Sequence, residues 1–223
     1  IQAAHGANAV AAYLGNPNVH HFGHIAYVPQ LLRALKTRNV YSASSVDQWP
    51  HQLVAWAMYG HQFLIPIADI DHTDYLLMLG ANPVASNGSL MTAPGFPRRI
   101  KALTRRGTLV VVDPRRTETA ELASRHLPIR PGVDAWLLLA LLQALTRIGP
   151  PRLAAYGERI QGFEQALAAI AAVDVGDLHA RTGIAIDEIE RVAQELYAAP
   201  SAAVYGRMGV STQAFGSLCQ WLI

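Results

Sequence analysis

The sequence predicts an α/β fold whose sheet is mostly parallel and flanked by helices. Four short apolar runs each end in Gly or Asp followed by turn residues, as buried strands do. They are "AVAAYLGNP", "DYLLMLGANP", "TLVVVDPRR" and "AAVYGRMG". Helix-like segments lie between the runs, at about residues 26–36, 48–60, 89–106 and 133–147. Strands separated by such helices run parallel, so ligands are expected at their carboxyl ends.

Composition excludes several classes of protein. With 223 residues, 51% of them hydrophobic and 15% charged, the chain can bury a large core in one or two domains. The net charge is +2 and the basic residues are scattered, so no stripe follows a nucleic-acid backbone. Cys219 is the single cysteine, which excludes a disulfide and a multi-cysteine metal site within this segment. We therefore expect a cytoplasmic protein that binds no nucleic acid, and no apolar run is long enough to predict a membrane span.

The two ends of the sequence and a change in its pattern near residue 151 indicate how the chain is organised. It opens at Ile1 rather than Met and closes with "CQWLI" inside an apolar helical pattern. Residues 1–223 are therefore predicted to be a central segment excised from a longer protein, and whether a signal peptide precedes it is left open. An α/β core is expected over 1–150 and 200–223. The short helical patterns of about 151–199, punctuated by Pro and Gly, are interpreted as a helical insertion.

One acidic residue stands alone in the stretch "YSASSVDQWPHQ", which covers residues 41–52. Small residues precede Asp47 and Pro50 follows it, so a ligand can approach the backbone closely there. Asp47 is a candidate metal ligand or base. The other interpretation is an ordinary helix cap, because the apolar pattern "QWPHQLVAWAM" begins directly after it.

The turn "LGANPVAS", residues 79–86, follows a predicted buried strand and precedes a predicted helix. Backbone N–H groups near its start, the Asn82 amide and the Ser86 hydroxyl are candidates to hold a diphosphate at the helix N-terminus. The turn is not a Walker loop, and it lacks the G-x-G-x-x-G fingerprint of nicotinamide-binding folds. Plain turn chemistry is the alternative.

Two further carboxylates follow later strands. Asp113 ends the strand in "VVVDPRRTETA", where nucleotide-binding α/β folds place a carboxylate on a ribose. It is also explained as a turn residue ahead of a capping box in "TETAE", residues 117–121. Asp134 follows the turn Arg130-Pro131-Gly132 at a predicted helix start, where a cap is the default explanation. Both therefore remain candidates with a structural alternative.

The histidines and the acidic loop predict no metal site of their own. The spacings of the histidines match no standard zinc pattern. The acidic run "DIDHTD", residues 69–74, lacks the Gly and the distal Glu of a calcium loop. We interpret the acidic run as a solvated turn.

Three segments taken together resemble the central part of the molybdopterin oxidoreductases of the dimethyl sulfoxide reductase superfamily. They are "DIDHTDYLLMLGANPVAS", "RRGTLVVVDPRRTETAELASRHLPIRPGVDAWLLLALL" and "GRMGVSTQ". The resemblance implies a Rossmann-like fold similar to domains 1–3 of formate dehydrogenase and dimethyl sulfoxide reductase. It also implies a molybdenum or tungsten bis(molybdopterin guanine dinucleotide) cofactor held between α/β domains.

The resemblance assigns cofactor contacts to turns of this chain. Those near the phosphates are Gly80, Asn82, Pro83 and Ser86, and those at the guanosine-binding strand end are Asp113, Pro114 and Arg115. A further contact turn is implied at Arg130, Gly132 and Asp134, a last one at Gly206, Gly209 and Val210, and a nucleotide contact at Gly15 and Asn16.

The resemblance also gives Asp47 a role. The family places its protein-derived metal ligand shortly after an Asn-Val turn, and an ungapped comparison with "NVYSASSVDQWPH" sets Asp47 on that position. A carboxylate is a hard oxygen donor that suits a high-valent metal. Helix capping remains the alternative interpretation.

The implied function is two-electron redox chemistry on a small substrate such as formate or nitrate. The expected iron–sulfur cluster, the N- and C-terminal domains and a possible electron-transfer partner protein lie outside this segment, so the segment alone is expected to hold no cofactor and to be inactive. A cofactor-free structural or electron-relay subunit, related to the large iron–sulfur subunit of complex I, is the alternative. A nicotinamide dehydrogenase is disfavoured because the glycine fingerprint is missing.

Overall fold

A computed structural model describes residues 1–88, 90 and 93–223. The chain forms two compact units, residues 1–50 and 51–223. No helix among the described residues combines the length and the apolar character that crossing a bilayer requires.

The first unit is built around a two-stranded parallel sheet, in which β1 (Ala12–Leu14) pairs with β2 (Val40–Ser42). Two helices, α1 (Gln2–His5) and α2 (Phe22–Leu35), complete it. The strand predicted in "AVAAYLGNP" is thus only three residues long. Its partner β2 was not predicted, because a three-residue strand before a run of small residues has the pattern of a loop. Of the described side chains in this unit, none is fully buried.

The second unit contains a four-stranded parallel sheet with the strand order β5-β4-β3-β6. The strands are β3 (Tyr75–Leu79), β4 (Thr108–Val112), β5 (Arg125–Leu127) and β6 (Ala202–Gly206). All three pairings are parallel. The predicted fold class, a mostly parallel α/β sheet with flanking helices, is confirmed.

Nine α-helices and one 3₁₀ helix (Ala154–Arg159) are described from Trp49 onward, and most of the predicted helices begin and end close to their expected positions. The α-helices are α3 (Trp49–Tyr59), α4 (Phe96–Arg106), α5 (Glu118–Leu122), α6 (Asp134–Ile148), α7 (Phe163–Ala171), α8 (Leu178–Thr182), α9 (Ile186–Ala198), α10 (Met208–Ser211) and α11 (Gly216–Leu222). The helix predicted to begin at residue 89 begins only at Phe96, which is a correction. Gly95, with a left-handed φ of 66°, precedes that start, and a proline occupies the first turn. Residues 89, 91 and 92 lie outside the described residues.

The sheet is buried on both faces, as its continuous apolar strands predict. On one face Leu76 and Met78 of β3 pack against Phe96, Ile100 and Leu103 of α4. The opposite face packs against α6, α9 and α11. Packing on both faces therefore fixes the positions of the carboxyl ends of these four strands, where a ligand site is expected.

The order of the connections creates a switch point beside β3. The chain passes from β3 through α4 to β4 and on to β5, moving steadily away from β3. It then runs through α6 to α9 and returns to form β6 on the other side of β3. Connections that leave in opposite directions open a crevice at the carboxyl ends of the two strands beside the switch point, here β3 and β6, where α/β proteins bind ligands. The site is therefore expected between the ends of β3 and β6.

An ion cluster occupies the opposite, amino-terminal edge of the same sheet. Arg125, the first residue of β5, pairs with Glu188 at 3.1 Å and with Glu195. Tyr75, the first residue of β3, donates to Glu195 at 3.1 Å, and burial followed by the charge of Glu195 raises its pKa. The cluster therefore holds α9 against the amino-terminal edge of the sheet. The carboxyl edge, where ligands are expected, lies at the other end of the strands.

Candidate functional site

Two glycines bring the ends of β3 and β6 into backbone contact. The Gly209 N–H donates to the Gly80 carbonyl at 2.9 Å. A Cβ on Gly80 would lie 2.7 Å from the Val210 nitrogen, and one on Gly209 would lie 2.6 Å from the Gly80 Cα. Gly206 is the buried last residue of β6, and the Val210 side chain belongs to the core. The structure therefore gives these residues a role in joining the two turns.

Asn82 links the turn after β3 to the start of α5. Its Oδ1 accepts from the Thr119 N–H at 3.3 Å and from the Thr119 hydroxyl at 2.7 Å, while its Nδ2 donates to Glu118 at 2.7 Å. The Glu118 pKa is lowered by its own backbone N–H and then by Asn82. The Asn82 amide thus positions two turns, and one of the two N–H groups of its Nδ2 remains to donate to a ligand.

The rest of this turn differs from the expectation of a helix N-terminus. The Ser86 hydroxyl donates to the Asn82 carbonyl at 3.2 Å, and the Gly88 N–H donates to the carbonyl of Pro83 at 2.8 Å. These bonds form consecutive turns, whereas α4 begins only at Phe96. The helix N-terminus expected at this turn is therefore absent, whereas a phosphate contact by residues 79–86 stays a prediction, and Ser86 is exposed to solvent.

Asp113 directly follows β4 and forms a hydrogen bond within its own turn. One carboxylate oxygen accepts from the Arg115 N–H at 2.8 Å, which is an Asx turn over Pro114. The other oxygen accepts no hydrogen bond from a described residue. Thr117 caps α5 by accepting from the Ala120 N–H at 3.1 Å. The predicted capping box is incomplete, because Ala120 stands where its acidic residue belongs.

Asp134 is buried at the start of α6 but does not cap it, because the N-cap residue is Val133. Only 5% of Asp134 is exposed, and its carboxylate accepts from Gln213 Nε2 at 2.9 Å. Burial raises the pKa of this carboxyl, the Gln213 hydrogen bond opposes the shift, and the negative charge of Asp113 adds to it. The carboxylates of Asp113 and Asp134 therefore lie close enough at the carboxyl edge of the sheet for their negative charges to repel each other.

The neighbouring turn after β5 is open. Gly132 has φ of 81°, and a Cβ built on it would meet no atom within 4 Å. Arg130 is exposed, and its guanidinium donates to the Ala180 carbonyl. This turn therefore has room for a ligand beside Asp134.

Gln213 is the residue of this edge that sequence reasoning missed. Its Nε2 donates both to Asp134 and, at 3.0 Å, to the Gly209 carbonyl. Its Oε1 is buried and receives no hydrogen bond from any described residue. The only sequence signal was its place at the end of "GRMGVSTQ", four residues after Gly209. The carboxyl edge thus carries two carboxylates, Asp113 and Asp134, and carboxylate oxygens suit a ligand with N–H or O–H donors.

The remaining predicted residues belong to the first unit. The Gly15 carbonyl accepts from the Asn18 amide at 2.9 Å, and Asn16 begins an exposed 3₁₀ turn. Asp47 is half-buried in the turn before α3, two residues ahead of Trp49, the first residue of that helix. No described residue donates a hydrogen bond to its carboxylate, so the helix-cap interpretation is not what the structure shows. Elsewhere in the described chain, no group of three or more His, Cys, Asp or Glu side chains is arranged to hold a metal ion.

His51 lines a cavity of about 270 Å³ near the end of β6, together with Val204, Gly206 and Gln220. Its Nδ1 is buried without a hydrogen-bond partner among the described residues. Burial, and then the positive charge of Arg207, lower the pKa of His51 to about 4. The imidazole is therefore neutral at physiological pH.

The low pKa of His51 predicts a pH-dependent stability. The unfolded chain takes up a proton near pH 6.5, whereas the folded chain takes it up only near pH 4. Stability therefore falls as the pH falls through this window, by about 1–2 kcal/mol at pH 5 once solvent screening of the partly exposed ring is included. Urea unfolding at pH 7 and pH 5 measures this loss, and His51→Gln should remove it. An equal loss in the variant would contradict the assignment.

Comparisons with known proteins agree with this architecture. The sequence model of the family described as molybdopterin oxidoreductase matches residues 1–175. An assimilatory nitrate reductase of Haloferax mediterranei is 32% identical over 149 residues, which are 67% of this chain and 20% of that protein. Formate dehydrogenase H of Escherichia coli is 29% identical over 146 residues, 65% of this chain and 20% of that protein.

A solved structure shares the fold. Acetylene hydratase from Pelobacter acetylenicus superposes with a TM-score of 0.72 and 20% identity, over 99% of this chain and 29% of that chain. The chain spans about a fifth of the length of the curated relatives it matches. Because the family model covers most of the sequence, this chain belongs to the molybdopterin oxidoreductase family of the dimethyl sulfoxide reductase superfamily.

Proposed function

We propose that the full-length protein is an oxidoreductase with a molybdenum or tungsten bis(molybdopterin guanine dinucleotide) cofactor, and that this chain supplies part of the cofactor-binding wall. Nitrate reductases and a formate dehydrogenase are among its relatives, so the proposed substrate is a small molecule such as nitrate or formate. Electrons would pass to or from a partner through an iron–sulfur cluster outside this segment.

The observation that carries the proposal is the set of acceptors at the carboxyl edge of the sheet. One carboxylate oxygen of Asp113 accepts no hydrogen bond from a described residue, and the turn at Gly132 leaves open space on the same edge. Carboxylate oxygens without donors fit a ligand that brings N–H or O–H donors. A guanine base offers a ring N–H and an amino group on one edge, and ribose offers two hydroxyls. The residues present therefore fit the nucleoside end of the cofactor.

The phosphates require donors, and Arg115 provides one beside Asp113. Its guanidinium lies 3.8 Å from Glu118 in a pair exposed to solvent. Such exposed pairs contribute little stability, so the side chain is free to turn toward a phosphate. The proposed arrangement places the nucleoside against the carboxylates and the diphosphate against the arginine.

When bound, the metal supplies the two-electron change in oxidation state. Asp47 would provide the oxygen ligand from the protein, because a carboxylate is a hard donor and no described residue competes for it by hydrogen bonding. Ser44 and Ser45 are small and exposed, which leaves space beside Asp47 for the pterin part of the cofactor. The residues of this chain would thus bind and orient the cofactor and provide one ligand to its metal.

Metal and nucleotide analysis of the purified full-length protein tests the proposal. We expect one molybdenum or tungsten per chain by mass spectrometry and two molecules of GMP per chain after acid hydrolysis. A protein purified with metal but with a different nucleotide would contradict the guanine form. A protein that folds and assembles without either metal would favour the electron-relay subunit instead.

A further inference from the structure

The outer side of α4 carries three cations in one row. Arg98, Lys101 and Arg105 are spaced by three and four residues, so they lie on the same side of the helix and span about 10 Å along its axis. All three are exposed, and so is Ala102, which lies beside them on the same side. The other side of the helix packs into the core described above. These four residues are called the basic face of α4.

The two other arginines of α4 hold a loop of the chain. Arg99 pairs with Asp71, and Arg106 donates to two backbone carbonyls of the same loop, at 2.6 and 3.2 Å. By contrast, no carboxylate among the described residues forms an ion pair with any of the three cations of the basic face. The charges of the basic face therefore hold no described part of the chain in place.

The basic face costs its own helix stability. Arg98 lies in the first turn of α4, where the helix dipole favours acidic side chains, yet this turn contains no acid and no side chain caps it. Lys101 and Arg105 are four residues apart, so their like charges repel each other. Only Arg105, in the last turn, is placed favourably relative to the dipole. A row of cations that destabilises its helix is therefore better explained by a partner than by the stability of the fold.

We propose that the basic face of α4 docks the acidic surface of a partner protein. A partner helix with carboxylates at the same spacing can place one of them against each cation, and Ala102 is small enough for two helices to approach closely. The basic face has no large apolar side chain, so charge holds this interface and salt weakens it. The inference depends neither on the cofactor nor on the substrate of the full-length protein.

Nucleic acid and a membrane surface fit the basic face less well. Strong binding along a nucleic-acid backbone uses about six to ten phosphate contacts, more than three cations can make. Binding to anionic lipids uses about four to eight basic residues, or cations combined with apolar side chains that enter the bilayer. Among the four residues of the basic face, the only apolar one is Ala102. An acidic protein therefore matches the size and the charge of this face best.

Binding of an acidic probe to the purified full-length protein tests the proposal. The probe is fluorescently labelled poly-L-glutamate, and its binding is measured by fluorescence anisotropy at low and at high salt. The variant Arg98→Gln/Lys101→Gln/Arg105→Gln removes the three charges and keeps polar side chains. We expect it to bind the probe about tenfold more weakly than wild type at low salt, because three exposed ion pairs are lost. At high salt the difference should nearly disappear.

A second group of cations provides the matched control. Arg33, Lys36 and Arg38 are exposed, and no described carboxylate forms an ion pair with them. The variant Arg33→Gln/Lys36→Gln/Arg38→Gln therefore removes the same numbers of arginines and lysines from another place. Its affinity for the probe should stay within about twofold of wild type. Equal weakening by the two variants would overturn the proposal, since binding would then follow net charge alone.

Thermal unfolding separates a docking face from a face that stabilises the fold. Removal of the first-turn cation in Arg98→Gln should raise the melting temperature by about 1 °C, although the affinity for the probe falls. A lower melting temperature in this variant would show that Arg98 serves the fold, and the argument for a partner would fail.

Two further probes distinguish the classes of partner. Vesicles that contain phosphatidylserine and a DNA duplex are titrated with the same variants. Weaker binding of either one by the basic-face variant, with unchanged affinity for poly-L-glutamate, would overturn the proposal in favour of a lipid or a nucleic-acid partner. Poly-L-glutamate binding that weakens only in the basic-face variant, and only at low salt, would support an acidic protein.

Discussion

Replacing Asp47 by Ala in the full-length enzyme is expected to reduce turnover at least about 100-fold, more than the loss of an outer partner of a metal ligand costs. The metal content should remain largely unchanged, because in the proposed site the pterin sulfurs of the cofactor would provide most of the ligands to the metal. The expectation follows from a half-buried carboxylate to which no described residue donates a hydrogen bond. Steady-state kinetics and the metal's electron paramagnetic resonance spectrum provide the measurement.

The chain offers a matched control for the loss of an ordinary capping aspartate. Asp177 caps α8 by accepting from the Ala180 N–H at 2.9 Å. Asp177→Ala should cost about 1 kcal/mol of stability and leave turnover intact. Asp47→Asn is the sharper variant, since it keeps the shape and removes the charge. Wild-type turnover and an unchanged spectrum in Asp47→Asn would reject the ligand role.

Gly80→Ala is expected to destabilise the fold by about 3 kcal/mol or more. Two physical terms combine at this position. The left-handed φ of 54° costs an alanine about 1 kcal/mol, and the added Cβ meets backbone atoms of Gly209 and Val210 within 3 Å. Because these atoms belong to a backbone fixed by its own hydrogen bonds, the two turns must separate. Urea unfolding monitored by circular dichroism measures the effect.

The variant Gly162→Ala measures the cost of backbone strain in the absence of a steric clash. Gly162 also has a left-handed φ, of 74°, but a Cβ there meets no atom within 4 Å. It should therefore cost only the strain, about 1 kcal/mol. Equal destabilisation by the two substitutions would show that close contact of the turns contributes nothing to stability.

Those parts of the fold that rest on local pattern were predictable from the sequence. The strands β3 and β4 are continuous apolar runs closed by turn residues, and both appear where the pattern places them. The start of α4 was misplaced at residue 89, because the apolar residues between 90 and 93 continue the helical pattern and only Gly95 and Pro97 mark the true beginning. The strand β2 was missed because it has three residues and owes its conformation to pairing with β1. Local propensity cannot reveal such a partner.

The residues of the candidate site were likewise predictable where they depend on local sequence and not where they depend on tertiary contacts. Asp113 and Asp134 were predicted because each follows a strand, where parallel sheets collect ligands. The alternative interpretation of Asp113 as a turn residue agrees with the structure, because its carboxylate accepts from the Arg115 N–H. The alternative interpretation of Asp134 as a helix cap does not, because the N-cap residue is Val133. Gln213 was not predictable as a partner of Asp134, because 79 residues separate them and only the tertiary fold brings them together. That Asn82 is engaged by Thr119 and Glu118 likewise became visible only in three dimensions.

The position of β3 between an early and a late neighbour has a consequence for the order of folding. Tyr75 pairs with Thr108 on one side and with Ala202 on the other. The second pairing closes a much longer loop, and non-local contacts of this kind form slowly because chain entropy is lost before they are made. We therefore expect β3, β4 and β5 to assemble first and β6 to join them last. The edge that carries Gly80 and Gly209 is then completed only in the final step of folding.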